Sequence, residues 1–265
     1  MSDHCAGPSR LGARWLKFLR FAARATAVSV WVLCGLLMIG LLYLIVGLAA
    51  RLWLKKYWSK ILLWLCGVRV TPHGEPTLER AVLWVSNHIS WLDIFALNAV
   101  RATAFIAKSE IRRWPVLGWL VAGAGTIFIE RASRHAVHRV GLSMQAHFAQ
   151  GQVVGLFPEG TTSSGFDLLP FYANLFEPAR KSAVQIQPVA LLYFQHAMRS
   201  DVAAFVGEQT LINSLWQVLS AQGLSIELHF LAPIMQADAV EAPPRAELGR
   251  LARHAIAEVV AQKSA

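Results

Sequence analysis

The chain has 265 residues, 55% of them hydrophobic and only 15% charged, with a net charge of +9. Soluble domains run at about 45–50% apolar and about 25% charged, so the composition points to membrane contact, and the length suits one good-sized domain with an appendage rather than two full domains. The positive balance asks for an anionic partner. Its placement favours a lipid surface over nucleic acid: Arg10, Arg14, Lys17, Arg20 and Arg24 precede a long apolar run, and Arg51, Lys55, Lys56 and Lys60 follow it, as headgroup contacts do.

Residues 26–50 carry no charge. A run of that length can span a bilayer core and exceeds a signal-peptide core, so it is read as a retained membrane helix. The basic residues on its two sides balance, which leaves open whether it crosses or folds back. Residues 52–67 follow with Leu52, Trp53, Tyr57, Ile61, Trp64 and Leu65 at helical spacing among lysines, the pattern of an interfacial helix. Cys5, Cys34 and Cys66 form no CxxC pair; no disulfide framework is expected, and a reducing, cytoplasm-facing catalytic part fits. The chain divides into a membrane-anchoring segment, 1–70, and a globular part, 71–265.

The stretch 71–79, with two prolines and a glycine, reads as the turn into the globular part. Strands are predicted at 81–85, 104–107, 126–129, 153–157, 185–191, 202–206 and 225–231. Helices are predicted at 91–99, 114–122, 134–149, 212–221 and 243–262, the last opening at a Pro-Pro pair. The alternation predicts an α/β domain around a mostly buried sheet flanked by helices.

Asn87-His88-Ile89-Ser90-Trp91-Leu92-Asp93 lies between an apolar strand and a helical pattern. A His and an Asp five apart cannot share a helix face. They can meet if the His occupies the strand-to-helix turn and the Asp the first helical turn. Asp93 could equally do no more than cap that helix, in a capping-box-like Ser90-x-x-Asp93 pattern. The same offset recurs at His196 and Asp201, so spacing alone does not choose. The setting does: a helix N-terminus after His88 can help bind an anion, and His196 has no such neighbour. A His–carboxylate pair suits acyl transfer to an alcohol, because a hydroxyl attacks only once a base takes its proton. No Gly-x-Ser-x-Gly elbow and no well-placed Cys is present, which disfavours a covalent acyl-enzyme and makes the substrate's own hydroxyl the nucleophile. Two other readings compete: a non-catalytic lipid-binding membrane protein, and a metal-dependent lipid hydrolase, which lacks a third ligand in a plausible motif.

Three further segments stand out. Gly125–Arg131 is a short apolar strand ending in Glu130 and Arg131, a ready phosphate ligand. Phe157-Pro158-Glu159-Gly160-Thr161-Thr162 opens a hydroxyl-rich loop able to line a polar headgroup, with Glu159 able to bind lipid hydroxyls or to orient Arg131. Pro188, inside the strand 185–191, should mark a sheet edge, a strand start or a bulge. Each segment alone would pass as an ordinary turn, strand end or surface arginine.

Together the four blocks, in this order from about Val82 to Tyr193, resemble the lysophospholipid acyltransferase family, typified by 1-acyl-sn-glycerol-3-phosphate acyltransferase. The resemblance implies a glycerolipid acyltransferase-type fold, with His88 as general base and Asp93 as its orienting partner. It links Arg131 to glycerol phosphate, gives Glu159, Gly160 and Thr161 to acceptor binding, and brings in Lys108 of the Ala107–Glu110 segment as a candidate donor to an oxyanion or phosphate. The implied donor is acyl-CoA or acyl carrier protein, the acceptor a lysolipid, and no metal or resident cofactor is expected. The implied location is the inner (cytoplasmic) membrane with the catalytic domain facing the cytoplasm. Two positions depart from the family pattern: Glu130 replaces the more usual Asp, and Thr162 stands where phosphatidate-forming members often carry Arg. Thr162 makes lyso-ornithine lipid acylation the alternative to phosphatidic acid synthesis.

Overall fold

The computed structural model describes residues 10–114, 117–130, 134–237 and 242–263. Eight helices and eight strands follow in chain order among these residues: α1 (Arg10–Leu37), α2 (Leu48–Leu65), β1 (Val68–Gly74), β2 (Val82–Ser86), α3 (Leu92–Val100), β3 (Thr103–Lys108), α4 (Leu117–Gly123), β4 (Ile127–Ile129), α5 (Arg134–Ala149), β5 (Val153–Leu156), α6 (Glu177–Lys181), β6 (Gln185–Gln195), β7 (Met198–Arg199), α7 (Leu211–Ser220), β8 (Leu224–Phe230) and α8 (Arg245–Gln262).

The strands form one sheet in the order β1-β8-β6-β2-β5-β3-β4, with β7 paired to β6. β6 runs antiparallel to β8 and β7, and every other pairing is parallel. All five residues of β2 are buried, as befits a parallel strand covered on both faces. Its side chains alternate between two cores. Val82 and Trp84 join Leu62 and Leu63 of α2, Leu92 and Leu97 of α3 and Val218 of α7. Leu83 and Val85 join Val140 and Met144 of α5, Ala179 of α6 and Leu248 of α8. The predicted α/β architecture is therefore present, with helices on both sides.

Several expectations change in detail. The helix expected over 26–50 begins at Arg10, passes through a π-helical turn at Met38–Leu42 and breaks before Gly47. Arginines read as headgroup contacts are structural instead. Arg20 Nη1 donates to Ser220 O (2.7 Å), and Arg24 Nη1 donates to Leu219 O (3.2 Å) and Ala221 O (2.7 Å). These carbonyls close the C-terminus of α7, which has no intrahelical donors for them and attracts cations. Lys55 likewise turns inward, donating to Thr103 O and Ala124 O at 2.6 Å each. The prolines of 71–79 do not all lie in a turn: β1 runs through Pro72, which an edge strand tolerates. Pro188 lies in a central strand, not at an edge. Its carbonyl accepts from Leu231 N just beyond the point where the β8 ladder ends at Phe230, so its missing N–H falls where that side of the ladder has stopped. Residues 202–206, expected as a strand, form none: 202–203 lie in a turn and 204–206 in irregular backbone, and their apolar residues pack as a loop beside the site described below.

α1 packs along α2 through two tryptophans. Trp31 Nε1 donates to Trp58 O (3.1 Å) and Trp58 Nε1 to Trp31 O (3.3 Å), with the rings stacked 6.3 Å apart. Gly35 permits this approach, because a Cβ there would lie 2.7 Å from Trp58 Nε1. α2 is apolar on both sides: Trp58, Leu62 and Leu63 face the core, while Trp53, Tyr57, Ile61 and Trp64 are exposed.

Candidate active site

β2 through β6 are mutually parallel, so the segments leaving their C-terminal ends share one edge of the sheet, where open α/β sheets bind ligands. The blocks around His88, Phe157 and Tyr193 gather there. Asn87, fully buried, anchors the turn after β2: its side chain donates to Leu191 O (3.0 Å) and accepts from Leu191 N (2.8 Å), continuing the β2–β6 ladder.

His88 Nδ1 lies 2.7 Å from Asp93 Oδ2. The same oxygen accepts from Ile89 N (2.7 Å) and Ser90 N (2.9 Å). Asp93 therefore does both jobs considered from sequence: it completes the reciprocal half of a capping box at α3 and orients the histidine. Its other oxygen, Oδ1, accepts from the hydroxyl of Tyr193 at 2.5 Å. A buried carboxylate with four donors is a satisfied anion. Tyr193 was not singled out from sequence. It lies 100 residues from Asp93, and only its place in an apolar strand hinted at a buried hydroxyl needing a partner. Burial, and then the charge of Asp93, push the Tyr193 phenol well above its ordinary range, so it remains a donor.

The imidazole is held elsewhere too. Its ring stacks on Phe157 (centroids 4.1 Å apart, planes 12° apart), and Phe157 stacks on Phe105 (5.5 Å, 6°). His88 N donates to Glu159 Oε1 (2.9 Å), and His88 O accepts from Ser163 N (2.8 Å). Nδ1 faces Asp93, so the remaining nitrogen, Nε2, is the edge left for substrate, and the side chain is 20% exposed. A carboxylate behind Nδ1 selects the tautomer with Nε2 as proton acceptor.

Glu159 is buried, and its second oxygen accepts from Leu169 N (3.0 Å). Burial raises its carboxyl above the usual range, and the two backbone N–H groups oppose that. Both of its oxygens are thus engaged by backbone, tying the third block to the His88 turn. Gly160 and Thr161 follow it at the same edge, Thr161 exposed. Thr162 Oγ1 donates to Phe205 O, and Phe205 N donates to Ile89 O (2.8 Å), so two loops are pinned to the turn that carries His88. Gly165 packs on Ile89: a Cβ at its φ of 84° would lie 2.6 Å from Ile89 Cδ1.

Lys108 is exposed at the C-terminal end of β3 and is not bonded to the His88–Asp93 pair. Arg131 lies outside the described residues; β4 ends at Ile129. Glu130 is exposed and pairs with Arg139 at 3.5 Å, a contact of little energetic weight. The second His–Asp pattern is not a pair: His196 sits in the β6–β7 turn with φ 52°, and no ion pair joins it to Asp201 among the described residues.

The chain is similar to known proteins. The sequence model of the family described as Acyltransferase matches residues 69–192. A 1-acyl-sn-glycerol-3-phosphate acyltransferase of Neisseria gonorrhoeae is 39% identical over 190 residues, covering 71% of this chain and 73% of the relative. A lyso-ornithine lipid O-acyltransferase of Pseudomonas aeruginosa is 35% identical over 204 residues, covering 77% and 76%. The crystal structure of the 1-acyl-sn-glycerophosphate acyltransferase PlsC from Thermotoga maritima superposes with a TM-score of 0.70 at 20% identity, covering 94% of this chain and 97% of that one; it shares the fold.

Proposed function

The chain belongs to the acyltransferase family and is an O-acyltransferase, and from that premise we propose that it esterifies the free hydroxyl of a lysolipid, with 1-acylglycerol-3-phosphate as acceptor and phosphatidic acid as product. The observation that carries this is the 2.7 Å contact between His88 Nδ1 and Asp93 Oδ2, which leaves Nε2 as the base. Nε2 takes the proton of the acceptor hydroxyl as that oxygen attacks the thioester carbonyl. The tetrahedral oxyanion collapses, the carbon–sulfur bond breaks, and the thiolate leaves with the proton from Nε2. Asp93 stabilises the imidazolium between the two steps. Backbone N–H groups at this edge and Lys108 are the proposed oxyanion donors. Arg131 is the proposed phosphate ligand, and Gly160 and Thr161 line the acceptor. Glu159 acts by holding the His88 turn. The thioester donor, acyl-CoA or acyl carrier protein, is a substrate, and the proposal invokes no resident cofactor or metal.

The enzyme is associated with a membrane through α1 and α2, and we place it at the inner membrane with the catalytic edge facing the cytoplasm. The helical stretch Arg14–Leu42 is long and apolar enough to cross a bilayer.

A second reading, acylation of lyso-ornithine lipid, is favoured by Thr162. Its hydroxyl is spent on Phe205 O, and it brings no cation to the acceptor. The test is an incubation of detergent-solubilised protein with acyl-CoA, or with acyl carrier protein thioester, and each lysolipid, with the diacyl product detected by mass. Phosphatidic acid supports the first reading. Product from lyso-ornithine lipid alone replaces it with the second. No product from either acceptor with either donor overturns both.

A further inference from the structure

On the sheet face shared with α8, away from the core that holds α2 and α3, three side chains converge that play no part in the acyl transfer. His73 of β1 and His229 of β8 are direct partners in the parallel register, and Glu227 lies two residues before His229 on the same face. His229 Nε2 is 2.8 Å and His73 Nε2 3.7 Å from the same carboxylate oxygen, Glu227 Oε2. The two rings stack 4.5 Å apart at 14°. His73 Nε2 is shut off from solvent yet has no hydrogen-bond partner among the described residues. One ligand atom from each residue lies within 4.8 Å of the others.

We infer that His73, Glu227 and His229 form a binding site for a divalent transition-metal ion of the zinc type. Two imidazole nitrogens and one carboxylate oxygen are a borderline-soft donor set of the kind zinc takes. Tetrahedral zinc, with bonds of about 2.0–2.2 Å, holds its ligand atoms roughly 3.3–3.5 Å apart. The present separations of 2.8 and 3.7 Å straddle that value; because the two rings stack at 14°, one of them must turn out of the stack for both nitrogens to point at one ion. The side chains are 42%, 25% and 15% exposed for His73, Glu227 and His229, so the cluster lies near the protein surface although the His73 nitrogen itself is covered. Lys263 Nζ, 4.0 Å from Glu227 Oε2, is the competing cation; it sits half-exposed just past the end of α8 and can swing into water. Because β1 is the edge strand that follows α2, a bound ion would fasten the membrane-facing arm to β8.

The experiment is titration of the purified, detergent-solubilised full chain with Zn²⁺ alone against a chromophoric zinc chelator, with thermal unfolding measured in parallel. One equivalent should bind, and His73→Ala and His229→Ala should each weaken it by about tenfold or more. Exposed His254→Ala should leave it unchanged. Zn²⁺ should raise the unfolding midpoint of the wild type and not that of Glu227→Gln. If either alanine variant folds poorly, His73→Gln or His229→Gln serves, since each keeps the bulk and loses the imidazole ligand. Equal zinc affinity in the wild type and both His variants, or no binding in the wild type, overturns the inference. Acyl transfer is a separate readout: with His88 at another part of the sheet, chelation should leave it intact.

Discussion

His88 is held on three sides, by the Asp93 carboxylate, the Phe157 ring and the Glu159–Ser163 backbone contacts. His88→Ala should lower turnover by about 10²–10⁴-fold, the usual contribution of a general base, and should also lower the thermal midpoint, because it takes one donor from Asp93 and a ring from Phe157; near-normal turnover in the folded variant would remove the proposed base. Tyr193→Phe deletes one of the four donors to Asp93, a hydrogen bond to a charged group worth about 1.5–3 kcal/mol. A less satisfied carboxylate holds the imidazolium more tightly, so the acidic limb of the kcat/KM profile should move to higher pH; a purely structural tyrosine would lower stability and leave that limb in place. Glu159 titrates in the opposite sense to a salt-bridged acid. Its folded-state pKa is raised by burial, so its stabilising contribution is complete below the unfolded value of 4.5 and is lost as the pH rises through the folded value. Midpoints of the wild type and Glu159→Gln should lie closest at pH 4, where the amide mimics the protonated acid, and separate towards pH 8 as the wild type loses that contribution.

At the scale of elements, the join between α1 and the domain rests on specific polar contacts as well as apolar burial. Arg24→Ala leaves the Ala221 and Leu219 carbonyls at the end of α7 without their charged donor. A loss of about 1–3 kcal/mol is expected, measured by thermal unfolding in detergent. Arg20 still serves Ser220, so complete release of α1 is not expected. Helix identity was legible for α3, α5, α7 and α8 because apolar periodicity is a local property. The strand at 202–206 was misread because five mostly apolar residues look alike whether they pair in a ladder or pack as a loop. β1 was missed because prolines and a glycine signal a turn, and only an unpaired edge makes Pro72 compatible with a strand.

At the scale of the molecule, α2 faces two apolar surroundings. Its inner face shares the core with β2 and α3 and its outer stripe of Trp53, Tyr57, Ile61 and Trp64 is exposed, as are Val30, Leu33 and Leu37 of α1 and Leu41 of the π-helical turn that follows it. A helix apolar on both sides in a chain that must remain soluble in its surroundings belongs against lipid. Trp64 is 74% exposed. A cysteine placed there and labelled with an environment-sensitive fluorophore should shift to the blue on reconstitution into anionic vesicles; an unchanged spectrum would separate this stripe from the bilayer.

The chain by itself determined its apolar anchor, its alternation of strands and helices and the four blocks that mark the family, since each is written in neighbouring residues. Spacing alone did not separate His88–Asp93 from His196–Asp201, and the helical pattern after His88 favoured the first. The fold sets that His at the mouth of parallel strands before a helix, 2.7 Å from its Asp, and the other in a tight turn between β6 and β7. Only the fold brought Tyr193 to Asp93, Glu159 to the His88 backbone and Arg24 to α7, because contacts across 100, 71 and 195 or more residues are set by strand order and packing, which no local pattern encodes.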